Sequence, residues 1–339
     1  MTEMRYNPLS GEWILVSPDR GERGDYFVHE KDNDHFEQSG CPFCPGNESQ
    51  IGNVIYKIED RKMYSNEPIL KVIPNKYPVF TVEKIPESFS VGPYDYHSTV
   101  GAHEVIIENM KHSLPLYEYT EQNWVDLFET VKVRGLDLKN DIRIKFISFF
   151  KNYGFLAGAT MKHSHSQIVG MPVIPHRITE ELERGKDFYE EKNRCIFCDV
   201  LKFERFSERE IVTTKFFSAF IPYASRYPFQ LDIYPLKHGH DFFCITKEEN
   251  YDLAGLFKNI FEIYHNALGD IPLNIILYTS PLNLDGPTAD KFKYINLFYH
   301  YHIRIIPRIN KYGGLECGYG LHVNPVPPEK GAKILKGEI

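Results

Sequence analysis

Short apolar runs bounded by turn residues recur along the chain at 104–109, 143–151, 230–236, 272–279 and 301–306. Each is rich in β-branched or aromatic residues, the pattern of a strand that packs against neighbours. Two longer stretches follow a helical period. After Thr120, the side chains of Trp124, Leu127, Phe128 and Val131 fall on one face. After Thr246, the stripe Leu253, Leu256, Phe257, Ile260, Phe261 and Tyr264 does the same. Thr120 is placed to cap the first helix, and Thr246 with Glu249 forms a capping box for the second. Both stripes read as core packing. The stretch 173–194, charged and irregular, reads as a connection.

The pattern occurs twice. Glu104-Val-Ile-Ile-Glu-Asn-Met-Lys111-His112 aligns without a gap on Gln230-Leu-Asp-Ile-Tyr-Pro-Leu-Lys237-His238, and eight residues after each His stands a Thr, Thr120 or Thr246. Further on, His163-Ser-His165-Ser-Gln-Ile168-Val169 matches His300-Tyr-His302-Ile-Arg-Ile305-Ile306. Each half runs Cys-x-x-Cys, strand-Lys-His, helix, strand, His-x-His, so a duplicated domain is expected. The halves are placed at 1–172 and 195–339, joined by 173–194.

Composition narrows the class. Of 339 residues, 42% are hydrophobic and 25% charged, the range of a globular protein with a real core. No apolar run reaches the length of a membrane span, and no basic-then-apolar leader opens the chain, so a cytoplasmic protein is expected. A net charge of −7 disfavours a broad nucleic-acid surface while leaving room for a small anion pocket.

Four of the six cysteines form two short pairs, Cys41-Pro-Phe-Cys44 and Cys195-Ile-Phe-Cys198. In a reducing compartment such pairs read as metal or redox groups. A redox pair normally opens a helix, whereas Cys41 follows Ser-Gly and Cys44 precedes Pro-Gly-Asn, the turn chemistry of a metal knuckle. Two thiolates leave a tetrahedral zinc site half filled. The repeat supplies the rest: Cys41, Cys44, His112 and His163 as one Cys2His2 set, and Cys195, Cys198, His238 and His300 as its copy. Two zinc ions per chain are expected, and the second site could take iron. His103 and His240 lie near these residues and could replace or support them. The isolated Cys244 and Cys317 read as plain packing or surface residues.

His165 stands apart from the ligands. Two residues beyond His163, it shares a strand face with it, and Ser166 and Gln167 follow as donors for an oxyanion. Upstream, Asn152, Gly154, Gly158 and Thr160 make a glycine-rich segment suited to close approach by phosphate. A histidine beside such a cradle is a candidate nucleophile toward phosphorus. The alternative is a third histidine that orients the metal site.

These residues resemble the galactose-1-phosphate uridylyltransferase family, a branch of the histidine-triad superfamily. The resemblance is carried by Asn7-Pro-Leu-Ser-Gly-Glu12-Trp13 through Pro18-Asp-Arg20, the Cys41–Cys44 knuckle, Pro74-Asn75-Lys76-Tyr77-Pro78, Lys111-His112-Ser, His163-Ser-His165-Ser-Gln167 and Gly313-Gly314-Leu-Glu316. It implies an α+β fold, a duplicated histidine-triad-like domain of mostly antiparallel sheets with packed helices, and ping-pong nucleotidyl transfer with UDP-glucose and a hexose 1-phosphate as default substrates. It also implies that His165 is the nucleophile and Gln167 holds a phosphoryl oxygen. Asn152, Gly158 and Thr160 would line the phosphates. Arg20 and Asn75 would contact the nucleotide, and Arg23 a phosphate. Glu316 would hold sugar hydroxyls, across a homodimer interface in some relatives.

Some features are similar to the relatives that act as ADP-glucose phosphorylases, with phosphate as acceptor: Ser164 where uridylyltransferases usually have Pro, the Phe150-Lys-Asn152 run, and the second Cys2His2 set. An adenylyl donor is therefore the nearest rival. More distant readings are a sulfate-linked adenylyl transfer, a nucleotide hydrolase, and a zinc-stapled nucleotide-binding protein.

Overall fold

The computed structural model describes residues 2–21, 40–59 and 68–339. One sheet of ten strands dominates it. In chain order the strands are β1 (Tyr56–Glu59), β2 (Pro68–Pro74), β3 (Ala102–Ile107), β4 (Phe146–Tyr153), β5 (His165–Met171), β6 (Glu210–Thr213), β7 (Phe217–Phe220), β8 (Leu231–Pro235), β9 (Leu273–Tyr278) and β10 (His302–Pro307). Across the sheet the order is β6-β7-β8-β10-β9-β4-β5-β3-β2-β1, every neighbouring pair antiparallel. Counted from either edge, the strands of the two halves come in corresponding order. The halves meet where β4 pairs with β9, around Phe150 opposite Ile276.

The five strands expected from the sequence all form, with ends displaced by up to three residues. Both expected helices form as well: α1 (Glu121–Leu138) and, further along, α4 (Lys247–Leu268). Thr120 caps α1 through the Asn123 backbone N–H, and Thr246 with Glu249 makes the capping box of α4. Their apolar stripes are buried and pack together on one face of the sheet, with Trp124 stacked on Phe261 at 5.1 Å.

The stretch 173–194 is not irregular. Residues His176–Lys192 form a helix, α2, closed by Asn193 in the left-handed conformation, and α3 (Ile196–Glu204) follows at once. Charge hid the period: Ile178, Glu181, Leu182 and Gly185 fall on one buried stripe of an otherwise polar helix. With α3, this stripe packs on the second face of the sheet, over Phe220, Tyr234 and Tyr278 of the second half.

Alternation along the strands assigns the remaining side chains. In the first half, Ile73, His103, Val105, Ile107, Asn152, His165 and Gln167 face the side away from α1 and α4. Among the described residues, the apolar groups packed there are Phe43, Ile51 and Met110. The corresponding face of the second half lies under α2 and α3. A small three-stranded sheet (Glu3–Tyr6, Trp13–Val16, Val323–Asn324) joins the two ends of the chain. Among the described residues, no helix is long and apolar enough to cross a membrane.

Candidate active site

The two Cys2His2 sets assemble as the repeat predicts. The ligand atoms of Cys41, Cys44, His112 and His163 lie within 4.8 Å of one another, and so do those of Cys195, Cys198, His238 and His300. Cys44 Sγ stands 3.3 Å from His112 Nδ1 and 3.5 Å from His163 Nδ1. Ligands on one tetrahedral zinc ion are separated by about 3.5 Å, so the spacing fits. Each set also fixes a tautomer. His163 Nε2–H donates to the Asn109 carbonyl at 2.8 Å, and His238 Nε2–H donates to the Asn296 carbonyl at 2.8 Å. Both rings therefore keep the Nδ1 lone pair for a metal. Burial and the neighbouring Cys41 push the Cys44 thiol up to about 11, so a cation is needed to hold this pair as thiolates.

The knuckle turn at Cys41–Cys44 forms, with the Asn47 amide on the Cys41 carbonyl at 2.8 Å. The second pair sits differently: Cys195 stands at the N-cap position of α3 without a side-chain capping bond, and Cys198 lies in its first turn. That is the local geometry of a redox pair. The metal reading there rests on His238 and His300, which a dithiol site does not need.

His103 and His240 join neither set. His240 Nδ1 bonds Ser280 Oγ at 2.9 Å. His103 lies on β3 beside β5, with Nε2 2.7 Å from Gln167 Oε1 and 3.0 Å from Asn75 Nδ2. The sequence reading lets it replace or support a ligand, being near His112 in the chain, while the repeat favours His112; its face of β3 points it elsewhere.

β5 opens at His165, so His163 sits just before the strand. His165 is 7% exposed, and the edge of Phe43 packs on both rings. Its Nδ1–H donates to the His163 carbonyl at 2.9 Å, which leaves the lone pair on Nε2. Burial pushes its pKa below the usual imidazole value, against that hydrogen bond, and the Lys151 cation adds to the fall. A neutral ring with a bare Nε2 is the form that attacks phosphorus.

Beneath it lies a buried polar cluster that sequence reading missed. Lys151 Nζ reaches Glu108 Oε2 at 2.8 Å, Ser164 Oγ at 2.8 Å and the His165 carbonyl at 3.1 Å. The Tyr119 hydroxyl lies 2.6 Å from both Glu108 Oε2 and Ser164 Oγ. Burial opposes ionisation of Glu108, yet the Lys151 ammonium holds its carboxyl below the usual range. The Ser between the two histidines is thus the anchor that ties their backbone to a buried ion pair. Lys151→Met would leave Glu108 buried and uncompensated, at a cost of about 3–5 kcal/mol, while Glu108→Leu with Lys151→Met should restore most of it. Chemical denaturation of the three proteins measures this.

The glycine-rich segment turns as expected. Gly154 and Gly158 have φ of 82° and 86°, which favour glycine, and bracket one 3-10 turn, Phe155–Ala157. Asn152 Oδ1 accepts from Asn274 Nδ2 at 2.9 Å, and the same nitrogen donates to the Ala157 carbonyl at 2.9 Å. The Asn152 Nδ2 then faces Gly158. Asn274, on β9, is a second omission; its signal was one polar residue inside the run Leu273–Tyr278. Thr160 is exposed beyond the turn.

Two expected residues are not bonded to this cluster among the described residues. Arg20 is exposed on the short helix Pro18–Gly21. Glu316 accepts from the Gly313 backbone N–H at 2.8 Å and shares the surroundings of His322 with Arg226, Glu12 and Arg177. Neither makes a hydrogen bond or ion pair with His165 or Gln167 among the described residues. Arg23 lies outside the described residues.

In the second half the corresponding place is filled. His302 is sandwiched between Tyr234 at 4.9 Å and Tyr278 at 4.6 Å, with Glu181 of α2 at 4.0 Å. Arg304, where the first half has Gln167, forms a buried bidentate pair with Asp232. Burial, then Arg304, lowers the His302 pKa to about 3. The ring is neutral, as a nucleophile must be, and has no room for a substrate.

The family model of the galactose-1-phosphate uridyl transferase N-terminal domain matches residues 1–175. The chain is 31% identical over 337 residues to an ADP-glucose phosphorylase of Arabidopsis thaliana, covering 98% of this chain and 92% of that protein. It is 27% identical over 351 residues to a galactose-1-phosphate uridylyltransferase of Thermotoga maritima, covering 99% and 98%. The crystal structure of an Arabidopsis thaliana ADP-glucose phosphorylase with bound ADP-glucose superposes with a TM-score of 0.81 at 28% identity, over 99% of each chain. A uridylyltransferase structure does so at 0.74 and 25%, over 99% of this chain and 98% of that one.

Proposed function

Because the chain belongs to the galactose-1-phosphate uridylyltransferase family, we propose that it moves a nucleoside monophosphate from a nucleotide sugar to a hexose 1-phosphate through His165. The observation that carries this is the neutral, buried His165 with its Nε2 lone pair free, set between Gln167 and the Asn152–Gly158 turn. In the first step Nε2 forms a bond to the α-phosphorus, and the bond from that phosphorus to the departing sugar 1-phosphate breaks. In the second, an oxygen of the incoming phosphate attacks the same phosphorus, the phosphorus–nitrogen bond breaks, and His165 is regenerated. Gln167 and Asn152 supply N–H donors where charge develops on the phosphoryl oxygens. Thr160 adds a hydroxyl at the mouth, and Arg20, Arg23 and Asn75 would hold the nucleotide.

Zinc fits both Cys2His2 sets, through Cys41, Cys44, His112 and His163 and through Cys195, Cys198, His238 and His300. Its contribution would be to tie distant segments together and hold the backbone that presents His165. The two units would be 1–172 and 195–339, with 173–194 between them, a division supported by the matching strand order of the sheet. A cytoplasmic setting agrees with six free cysteines.

UDP-glucose with a hexose 1-phosphate is the default pair. The Lys151–Glu108–Ser164 anchor favours a second reading, an ADP-glucose phosphorylase with phosphate as acceptor, since the anchored Ser164 is the feature that sets the signature apart from Pro-containing ones. One experiment separates them: incubate the protein with UDP-glucose and with ADP-glucose, then weigh it intact. A uridylyl or an adenylyl gain names the donor; no gain from either ends the covalent mechanism and leaves a nucleotide-binding protein.

Glu316, distant in contacts from His165, would serve the site of a partner in a homodimer. Mixing inactive His165→Gly and Glu316→Gln chains should then regain activity through hybrid dimers. A monomer in sedimentation, or no regain on mixing, contradicts this.

A further inference from the structure

We propose that His103 is a positioning residue that fixes which end of the Gln167 amide faces the phosphate; the inference rests on the function proposed above. A glutamine side chain can present either its oxygen or its NH2 to a ligand, and only the NH2 suits a phosphoryl oxygen. The choice is made by whatever holds the other end. His103 Nδ1 accepts from the Val79 backbone N–H at 3.2 Å, so in the neutral ring Nε2 carries the proton. That proton is donated to Gln167 Oε1 at 2.7 Å. The Asn75 amide, 3.0 Å from the same nitrogen, is a neighbour there rather than an acceptor, because its oxygen is already held by the Tyr77 N–H at 2.9 Å. With Oε1 engaged, Gln167 is left with its NH2 to offer.

The chain of bonds runs from the 75–79 loop through His103 to Gln167, two residues from the nucleophile. The Asn75 N–H also closes on the His103 carbonyl at 2.8 Å, so loop and strand are locked at both ends. His103 thus couples the segment expected to hold the nucleotide to the residue expected to hold its phosphate. The second half has no such device, since Arg304 in the Gln167 position has no acceptor end to orient.

The test uses three substitutions that divide the two hydrogen bonds. In His103→Asn the side-chain oxygen takes the place of Nδ1 and accepts from Val79, with nothing to reach Gln167. In His103→Gln the amide nitrogen takes the place of Nε2 and donates to Gln167. His103→Phe keeps the ring and loses both. Single-turnover nucleotidylation, followed by intact mass with whichever of UDP-glucose or ADP-glucose loads the wild type, is expected to slow about 100-fold in the Phe and Asn variants. The loss should fall on the rate constant, with the half-saturating donor concentration little changed, and the Gln variant should recover most of the rate. Circular dichroism melts would check that all three fold. Wild-type rates in all three, equal loss in all three, or equal rescue by Asn and Gln would overturn the proposal. A wild type that never gains a nucleotidyl group would instead remove the parent reading.

Discussion

His165→Gly should abolish nucleotidyl transfer while leaving both metals and the fold in place. On the proposed reading the ring contributes the nucleophile and little of the packing; among the described residues its aromatic contact is with Phe43, at 5.6 Å. With the proposed nucleophile gone, the rate should fall by many powers of ten, on the order of a million-fold as in other nucleophile deletions. Quenched-flow and intact mass would show no adduct with either donor, and added imidazole could enter the space left and restore part of the rate. Retained adduct formation, or loss of metal, would refute the assignment. His302 supplies the internal control. His302→Ala should keep the covalent step, yet removes a ring packed between Tyr234 and Tyr278 and should cost about 2–4 kcal/mol of stability.

Loss of a metal ligand should act in the opposite order, on stability first. Purified protein is expected to carry close to two zinc ions per chain, one for each Cys2His2 set. Structural zinc binds with about 10–16 kcal/mol in small domains, comparable to the whole stability of a protein this size. Cys41→Ala and Cys195→Ala should therefore each lose one equivalent of metal and melt far below the wild type. In Cys41→Ala the damage falls on the backbone that presents His165. Metal analysis beside thermal melts decides the matter, and stable full-length protein free of metal would refute it.

The sequence made the paired elements and the metal sets legible because a duplication prints each signal twice. Thr120 and Thr246, or His163 and His300, confirm each other in a way no single motif could. What stayed hidden was side-chain partnership across strands. His103 and Gln167 are far apart in the chain and meet only through the pairing of β3 with β5. Lys151 and Glu108 each look like a charge near the end of an apolar run, and only the fold shows that they neutralise one another. The helix α2 was missed for a different reason. Its buried stripe is narrow and includes a carboxyl, Glu181, which burial pushes up to about 7, so it counts as polar in any periodicity.

α2 and α3 also leave the second half without an open face to match the site proposed in the first. Both halves own the strand, the histidine pair and the metal ligands, but the second half spends its open face on packing. Phe197 and Glu181 occupy the space where a substrate would lie, and the aromatic rings of Tyr234 and Tyr278 close it. The second half has become a scaffold that lends the first Asn274 and a neighbouring strand.

That shared strand has a consequence during synthesis. The β4 edge is complete once Tyr153 has emerged, but its partner β9 begins at Leu273, about 120 residues later, which at ordinary translation speeds means on the order of ten seconds with an unpaired edge. Throughout that interval the nascent first half presents the backbone of Phe149, Phe150 and Lys151 to any other strand in reach. Neighbouring ribosomes on one message carry the identical edge, so the earliest competitor for β9 is another copy of β4.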